Sequence, residues 1–223
     1  MHVGVIPDGN RRYAEQKGIS RRKAYKNAKQ TVKQVARSLK DYSEDVDSIT
    51  FYLLSEENLK RDEEELETLF DLLEGNIDEV GEYLDKQKCS VNWASTNPEA
   101  LPKYLQDKLA DIEQKYSRGS KTVNLLISYS GKQDILQASK KLESKGLEHT
   151  EENFSACLEI HDDIDFVIRT GDNPERECIS GFPIWNSSYA EFYHIRRNFP
   201  SVSPDDVREA LDHFKSLRRK KGE

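Results

Sequence analysis

Short apolar runs rich in β-branched residues alternate with helix-period segments along almost the whole chain, and this alternation most narrows the folds available to it. Val3, Val5 and Ile6 form the first run, and residues 49–54, 91–94, 123–129, 165–168 and 182–185 supply five more strand candidates. Between them lie segments with apolar residues three or four apart. One carries Ala24, Ala28, Val32, Val35 and Leu39, and a longer one Leu66, Leu69, Phe70, Leu73, Ile77, Val80 and Leu84. Shorter helices are expected over residues 101–116 and 133–142. Ser203, Pro204, Asp205 and Asp206 mark the start of a last helix, as cap, first-turn proline and dipole-matching acids. Strands that alternate with helices build parallel sheets covered by helices. The expected fold is α/β: one domain over residues 1–223, with a mostly parallel central sheet of about six strands flanked by helices.

Composition bounds the function classes. The net charge is −7, which argues against general nucleic-acid binding and requires any anionic ligand to be held by a local cluster of Arg and Lys. Cys89, Cys157 and Cys178 are widely spaced and lack CxxC spacing. They point to neither a disulfide framework nor a zinc site, and fit a reducing, cytoplasmic setting. No apolar run reaches transmembrane length.

In parallel sheets ligands bind at the carboxyl ends of the strands. Polar residues collect at four such ends, in segments 8–12, 55–61, 129–132 and 169–180. In the first, a strand meets the turn Asp8-Gly9-Asn10 and then a helix that opens with Arg11 and Arg12. A turn with free N–H groups, a helix N-terminus and two guanidinium groups make an anion site. Asp8 would oppose an anion there unless a divalent cation lay between them, which points to a diphosphate held with Mg²⁺. The plainer alternative is an ordinary turn beside a solvated Arg pair.

Together these segments resemble the cis-prenyltransferase family, typified by undecaprenyl diphosphate synthase. His2-Val-Gly-Val-Ile-Pro-Asp-Gly-Asn-Arg-Arg-Tyr-Ala14 resembles its opening signature, with Pro7 where an aliphatic residue or Met is usual. Ser55-Glu-Glu-Asn-Leu-Lys-Arg61 resembles its S-x-E-N-[WF]-x-R segment, with Leu59 for the aromatic. Tyr129-Ser-Gly-Lys-Gln-Asp-Ile135 is a weakened form of a third motif. Asp165-Phe-Val-Ile-Arg-Thr-Gly171 and Trp185-Asn-Ser-Ser-Tyr-Ala-Glu191 match the last block.

The resemblance implies an undecaprenyl diphosphate synthase-like fold and a prenyltransferase that ionises an allylic prenyl diphosphate with Mg²⁺ and condenses it with an isoprenoid acceptor. It implies that Asp8 binds the metal and that Gly9, Arg11, Arg12 and Arg21 hold the leaving diphosphate. Asn10 and Asn58 orient the reacting groups, with Ser55, Glu57 and Arg61 around them. Arg169 and Ser180 hold the acceptor, and Glu191 completes the metal site across a homodimer interface. Peripheral contact with a membrane through a lipid product also follows from it. The stripe of Phe70, Leu73 and Ile77 reads either as core or as the wall of an apolar tunnel.

The departures fall in the acceptor half. The family pattern R-T-G-G-E-x-R-x-S places Ser eight residues after the first Arg, whereas Ser180 follows Arg169 by eleven. Cys178 then stands where a second Arg is expected, and Arg176 is the residue able to replace it. Acceptor use is therefore expected to be relaxed, extending from isopentenyl diphosphate to dimethylallyl diphosphate or prenyl alcohols. A second reading is a non-catalytic subunit that stabilises a catalytic partner. Retention of Asp8, Asn10, Arg12 and Arg61 favours the enzyme.

Overall fold

The structure, a computed structural model, describes residues 1–42, 46–173 and 178–217. Six strands, β1 (His2–Ile6), β2 (Ser48–Ser55), β3 (Cys89–Ala94), β4 (Lys121–Tyr129), β5 (Phe166–Thr170) and β6 (Glu191–Ile195), form one sheet. Their order is β3-β4-β2-β1-β5-β6, and every pairing is parallel. The seven α-helices among the described residues are α1 (Asn10–Lys17), α2 (Arg21–Tyr42), α3 (Glu63–Lys86), α4 (Lys103–Lys115), α5 (Gly131–Ser144), α6 (Glu151–Ser155) and α7 (Pro204–Ser216). The chain is an α/β domain, as its alternation of elements predicts. α2, α3, α4 and α7 enclose the larger core, centred on β1, β2 and β4.

β1 is buried along its whole length because it pairs with β2 on one side and β5 on the other. The strand order reverses there: β2, β4 and β3 extend one way, β5 and β6 the other. A crevice at such a reversal is where parallel sheets bind ligands. His2 sets the position of β1. Its Nε2 pairs with Thr50 Oγ1 at 2.7 Å, and Thr50 also accepts a hydrogen bond from the Asn124 amide at 3.0 Å.

Two details differ from the sequence expectation. Residues 182–185 are not a strand. Phe182 is fully buried and lies across the sheet over Gly4, where a Cβ would come within 2.5 Å of its ring. The apolar run is a plug on the sheet face, and Pro183 suits it to that role. The sixth strand is Glu191–Ile195, an edge strand paired only with β5 and mostly half-buried, so its apolar signal is weak.

Candidate active site

Ile6 ends β1, and Pro7 and Asp8 follow at the carboxyl end of the sheet beside Arg169 of β5. Gly9 precedes α1 with φ of +101°, and a Cβ there would lie 2.1 Å from Asn198 Oδ1 and 2.8 Å from Asn198 Cα. Only glycine tolerates both the conformation and the contact. The Asp8 backbone is tied on both sides. Its N–H donates to Thr170 Oγ1 at 3.0 Å, and its carbonyl accepts from the Thr170 hydroxyl and the Phe199 N–H, each at 2.9 Å.

The Asp8 carboxylate accepts hydrogen bonds from Arg169 Nη2 at 2.7 Å and from the Gly9 N–H at 2.6 Å, with Arg12 Nη2 3.5 Å away. Burial pushes its carboxyl upward in pKa. The Arg169 hydrogen bond, with the charges of Arg169 and Arg12, outweighs that and leaves it below the ordinary range. Arg169 is itself 2% exposed. Its Nη1 donates to Ser180 Oγ at 2.8 Å and to the Cys178 carbonyl. Arg12 donates through Nε to Asp172 at 2.8 Å, and Asp172 also accepts from Asn198 and Gln16. Gly171, at φ +130°, leaves room for that guanidinium, because a Cβ would stand 2.9 Å from Arg12 Nη2.

A second cluster gathers around Glu65 in the first turn of α3, whose side chain is 1% exposed. It accepts hydrogen bonds from Arg21 at 2.6 Å, Arg61 at 3.0 Å, Tyr25 at 2.9 Å and Arg11 Nε at 2.9 Å. Burial raises the carboxyl pKa, but hydrogen bonds from Arg11 and Tyr25 and the charge of Arg61 leave it below the usual value. Burial pushes Tyr25 the other way, up to about 12. Ser55 and Asn58 close a reciprocal cap on the 3₁₀ turn Glu56–Lys60, with bonds of 3.1 and 3.3 Å.

These residues surround an open cavity of about 740 Å³. Of the residues assigned from sequence, all line it except three. Arg21 is bound to Glu65 outside the lining. Arg176 lies outside the described residues. Glu191 begins β6 opposite Phe166, three residues before the level of Arg169 and thus about 10 Å down the sheet. Asp8 and Glu191 are therefore not brought together within one chain. Asn10 donates to the Pro7 carbonyl at 3.3 Å and keeps its buried Oδ1 without a hydrogen-bond partner.

Sequence reading missed Glu65, Asp172, Asn198 and Tyr25. Glu65 was detectable, since it follows Arg61 by four positions, the spacing of a helical ion pair. Asp172 and Asn198 carry no such signal, because their partners are distant in sequence. Glu63, Glu64 and Glu67 are exposed, as a solvated helix face should be.

The polar cavity joins a second, apolar one of about 140 Å³ between α2, α3 and the sheet, with Pro7, Asn10, Tyr25, Leu53 and Leu69 common to both. Phe70 belongs to the core, Ile77 belongs to the core and also lines this apolar space, and the half-buried Leu73 lines it too, so the helix stripe serves both roles. At the sheet's reversal point a polar crevice lined by Arg11, Arg12, Arg61 and Arg169 thus opens into an apolar pocket, an arrangement with room for an anionic group and for apolar atoms beside it. The profile of the prenyltransferase family described as "Putative undecaprenyl diphosphate synthase" matches residues 6–222, and the chain belongs to that family. An isoprenyl transferase from Campylobacter jejuni is 30% identical, over 98% of this chain and 96% of that protein. The crystal structure of a probable undecaprenyl diphosphate synthase from the same organism superposes with a TM-score of 0.83 at 26% identity, covering 100% and 98% of the two chains. A lavandulyl diphosphate synthase from Lavandula x intermedia, at 23% identity, shares the fold with a TM-score of 0.90 over 98% of this chain and 96% of the other. The chain is a prenyltransferase.

Among the described residues no helix is long and apolar enough to cross a membrane. Among the described residues Cys89, Cys157 and Cys178 form no disulfide; the first two are buried and the third exposed.

Proposed function

We propose that this enzyme cleaves the C–O bond of an allylic prenyl diphosphate and joins the resulting allylic cation to an isoprenoid acceptor. With isopentenyl diphosphate, the acceptor's double bond forms the new C–C bond, pyrophosphate leaves with the bonding electron pair, and a proton is lost to give a cis double bond. The observation that carries this reading is the place of Asp8 in the polar cavity, between Arg169 and Arg12, with Pro7 and Asn10 on either side of it in sequence lining both that cavity and the apolar one.

The residues present fit Mg²⁺. This ion commonly binds one or two carboxylates together with substrate phosphates, and Asp8 offers a partly accessible carboxylate on the cavity wall. Bound there, Mg²⁺ supplies positive charge against the departing diphosphate. The protein does the rest with fixed groups. Arg12 and the amides of the Gly9 turn bind the leaving group as its charge grows, which lowers the barrier because those donors are already in place. Arg11 and Arg61, gathered by Glu65, flank it. Asn10, with its free Oδ1, orients the reacting carbons. Arg169 and Ser180, 2.8 Å apart, face the acceptor's head group. A homodimer would bring the partner's carboxylates to the metal, and Tyr189, 93% exposed beside Glu191, suits such an interface.

Acceptor choice is relaxed, on this reading, because Cys178 stands in the place of a diphosphate-reading Arg. Loss of one charge-assisted bond weakens diphosphate binding by about 1.5–3 kcal/mol. The test uses the purified chain with Mg²⁺, labelled allylic diphosphates and a panel of isopentenyl diphosphate, dimethylallyl diphosphate and prenyl alcohols, with products identified by mass spectrometry. Transfer to more than one acceptor is expected. Exclusive use of isopentenyl diphosphate, together with a sharp rise in its KM on Arg176→Ala, would overturn the relaxed-acceptor reading. No transfer by the chain alone, restored by a catalytic partner, would support the stabilising-subunit reading instead.

A further inference from the structure

Four consecutive residues at the end of β5 meet the turn that follows β1. Arg169 holds the Asp8 carboxylate, Thr170 ties the Asp8 backbone on both sides, and Gly171 makes room for the Arg12 guanidinium. The fourth, Asp172, departs from the family pattern, because R-T-G-G-E-x-R-x-S has a second glycine at its place. A glycine offers no side chain to Arg12, so the contact between Asp172 and Arg12 is particular to this chain.

The Asp172 carboxylate is held by three donors. Its Oδ1 accepts from Arg12 Nε at 2.8 Å, and its Oδ2 accepts from Asn198 Nδ2 at 2.9 Å and from Gln16 Nε2. Burial pushes the carboxyl up in pKa, but the hydrogen bonds from Gln16, Arg12 and Asn198 outweigh that and leave it below the ordinary range. Its place does not depend on Arg12 alone. Asn198 lies against Gly9, and the Gly171 N–H donates to the Arg197 carbonyl at 2.7 Å.

Arg12 is oriented by this contact. Asp172 takes its Nε, and its Nη2 is buried 3.5 Å from Asp8, with no hydrogen-bond partner among the described residues. The side chain is still 32% exposed and lines the polar cavity, which leaves Nη1 to meet a ligand there. A preoriented guanidinium loses less side-chain freedom on binding than an unanchored one. The charge of Asp172 also opposes an incoming anion, but its three donors already compensate it.

We propose that Asp172 is a positioning residue, which sets the Arg12 guanidinium for the leaving diphosphate and so raises the affinity of the site for pyrophosphate. The inference rests on the reading that Arg12 binds that diphosphate, and it adds a residue to the same site.

The test measures affinity for inorganic pyrophosphate with Mg²⁺ by calorimetry, without turnover, in variants checked for folding by their melting temperatures. Asp172→Asn should weaken binding about tenfold, the lower end of the range for partners that orient ligating groups. Arg12→Gln should weaken it as well. Adding Asp172→Asn to Arg12→Gln should then change the affinity by less than about twofold, because a positioning effect disappears with its target, whereas the effects of a general structural loss would multiply. With Arg12→Gln weakened, unchanged or tighter binding by Asp172→Asn overturns the proposal alone, and so do losses that multiply. Unchanged binding by Arg12→Gln overturns the reading of Arg12 and the proposal with it. If Asp172→Asn does not fold, Gln16→Ala decides instead. Gln16 is exposed and supports the same carboxylate, so a loss of at least about twofold is expected, and no loss overturns the proposal.

Discussion

Arg61, just before α3, and Glu65, in its first turn, stand four positions apart and meet at 3.0 Å, and the same carboxylate takes hydrogen bonds from Arg11 and Arg21. Three guanidinium groups packed this closely would repel one another without a buried acid between them. Glu65→Gln keeps the shape of the side chain and removes its charge. We expect a loss of about 1.5–3 kcal/mol in stability, the range for hydrogen bonds to charged groups, read from urea unfolding. The KM for the allylic diphosphate should rise as well, with Glu65→Asp recovering part of it.

Asp8 is both the carboxylate proposed for metal and the counter-ion of Arg169, which is nearly without solvent contact. Asp8→Asn keeps hydrogen-bonding atoms beside Arg169 and so suits a kinetic test better than alanine. Its turnover should fall by about 10²–10³-fold, the range for loss of one preorganised electrostatic group. Initial rates at saturating substrate check this, and retention of a tenth of the activity would remove Asp8 from the chemistry.

At Gly9 an added methyl meets both a left-handed φ and the backbone of Asn198. Gly9→Ala should lose about 1–3 kcal/mol from the backbone conformation alone. The clash should also shift the Asp8 turn, so thermal melting and activity are expected to fall together. Gly18→Ala, where φ is +60° but nothing lies within 4 Å, should spare activity.

Burial holds the pKa of His2 below its usual 6.5, so the fold favours the neutral ring. The unfolded chain then binds the extra proton first on acidification. The stability that His2 contributes is complete above about pH 6.5 and is lost as the pH falls below it. Urea midpoints should decline between pH 7.5 and 5.5 more steeply in the wild type than in His2→Gln, and parallel slopes would refute the link.

The parts of the fold that are legible in the sequence share one physical cause. Strands buried on both faces, such as β1 and β4, appear as continuous apolar runs, and α2, α3 and α7 show helical period or caps. Glu191–Ile195 is hidden because an edge strand needs little apolar surface, and 182–185 misleads because a buried plug has the composition of a strand. Within the site, motif residues on β1, β2 and β5 are legible because each lies at a strand end. Glu65 escapes attention among five acidic neighbours, Asp62, Glu63, Glu64, Glu67 and Asp71, since only folding selects which one turns inward.

The pairing of Asp8 with Arg169 spans 161 positions, and β1, made first, lies between β2 and a strand formed only after residue 165. No local segment can assemble the crevice, and contacts this distant along the chain form slowly because a long loop must close first. During synthesis the N-terminal part can build β1, β2, β4 and their helices while one edge of β1 stays open. The Asp8–Arg169 pair, and the Arg169–Ser180 contact beside it, therefore come into being only with the last quarter of the chain.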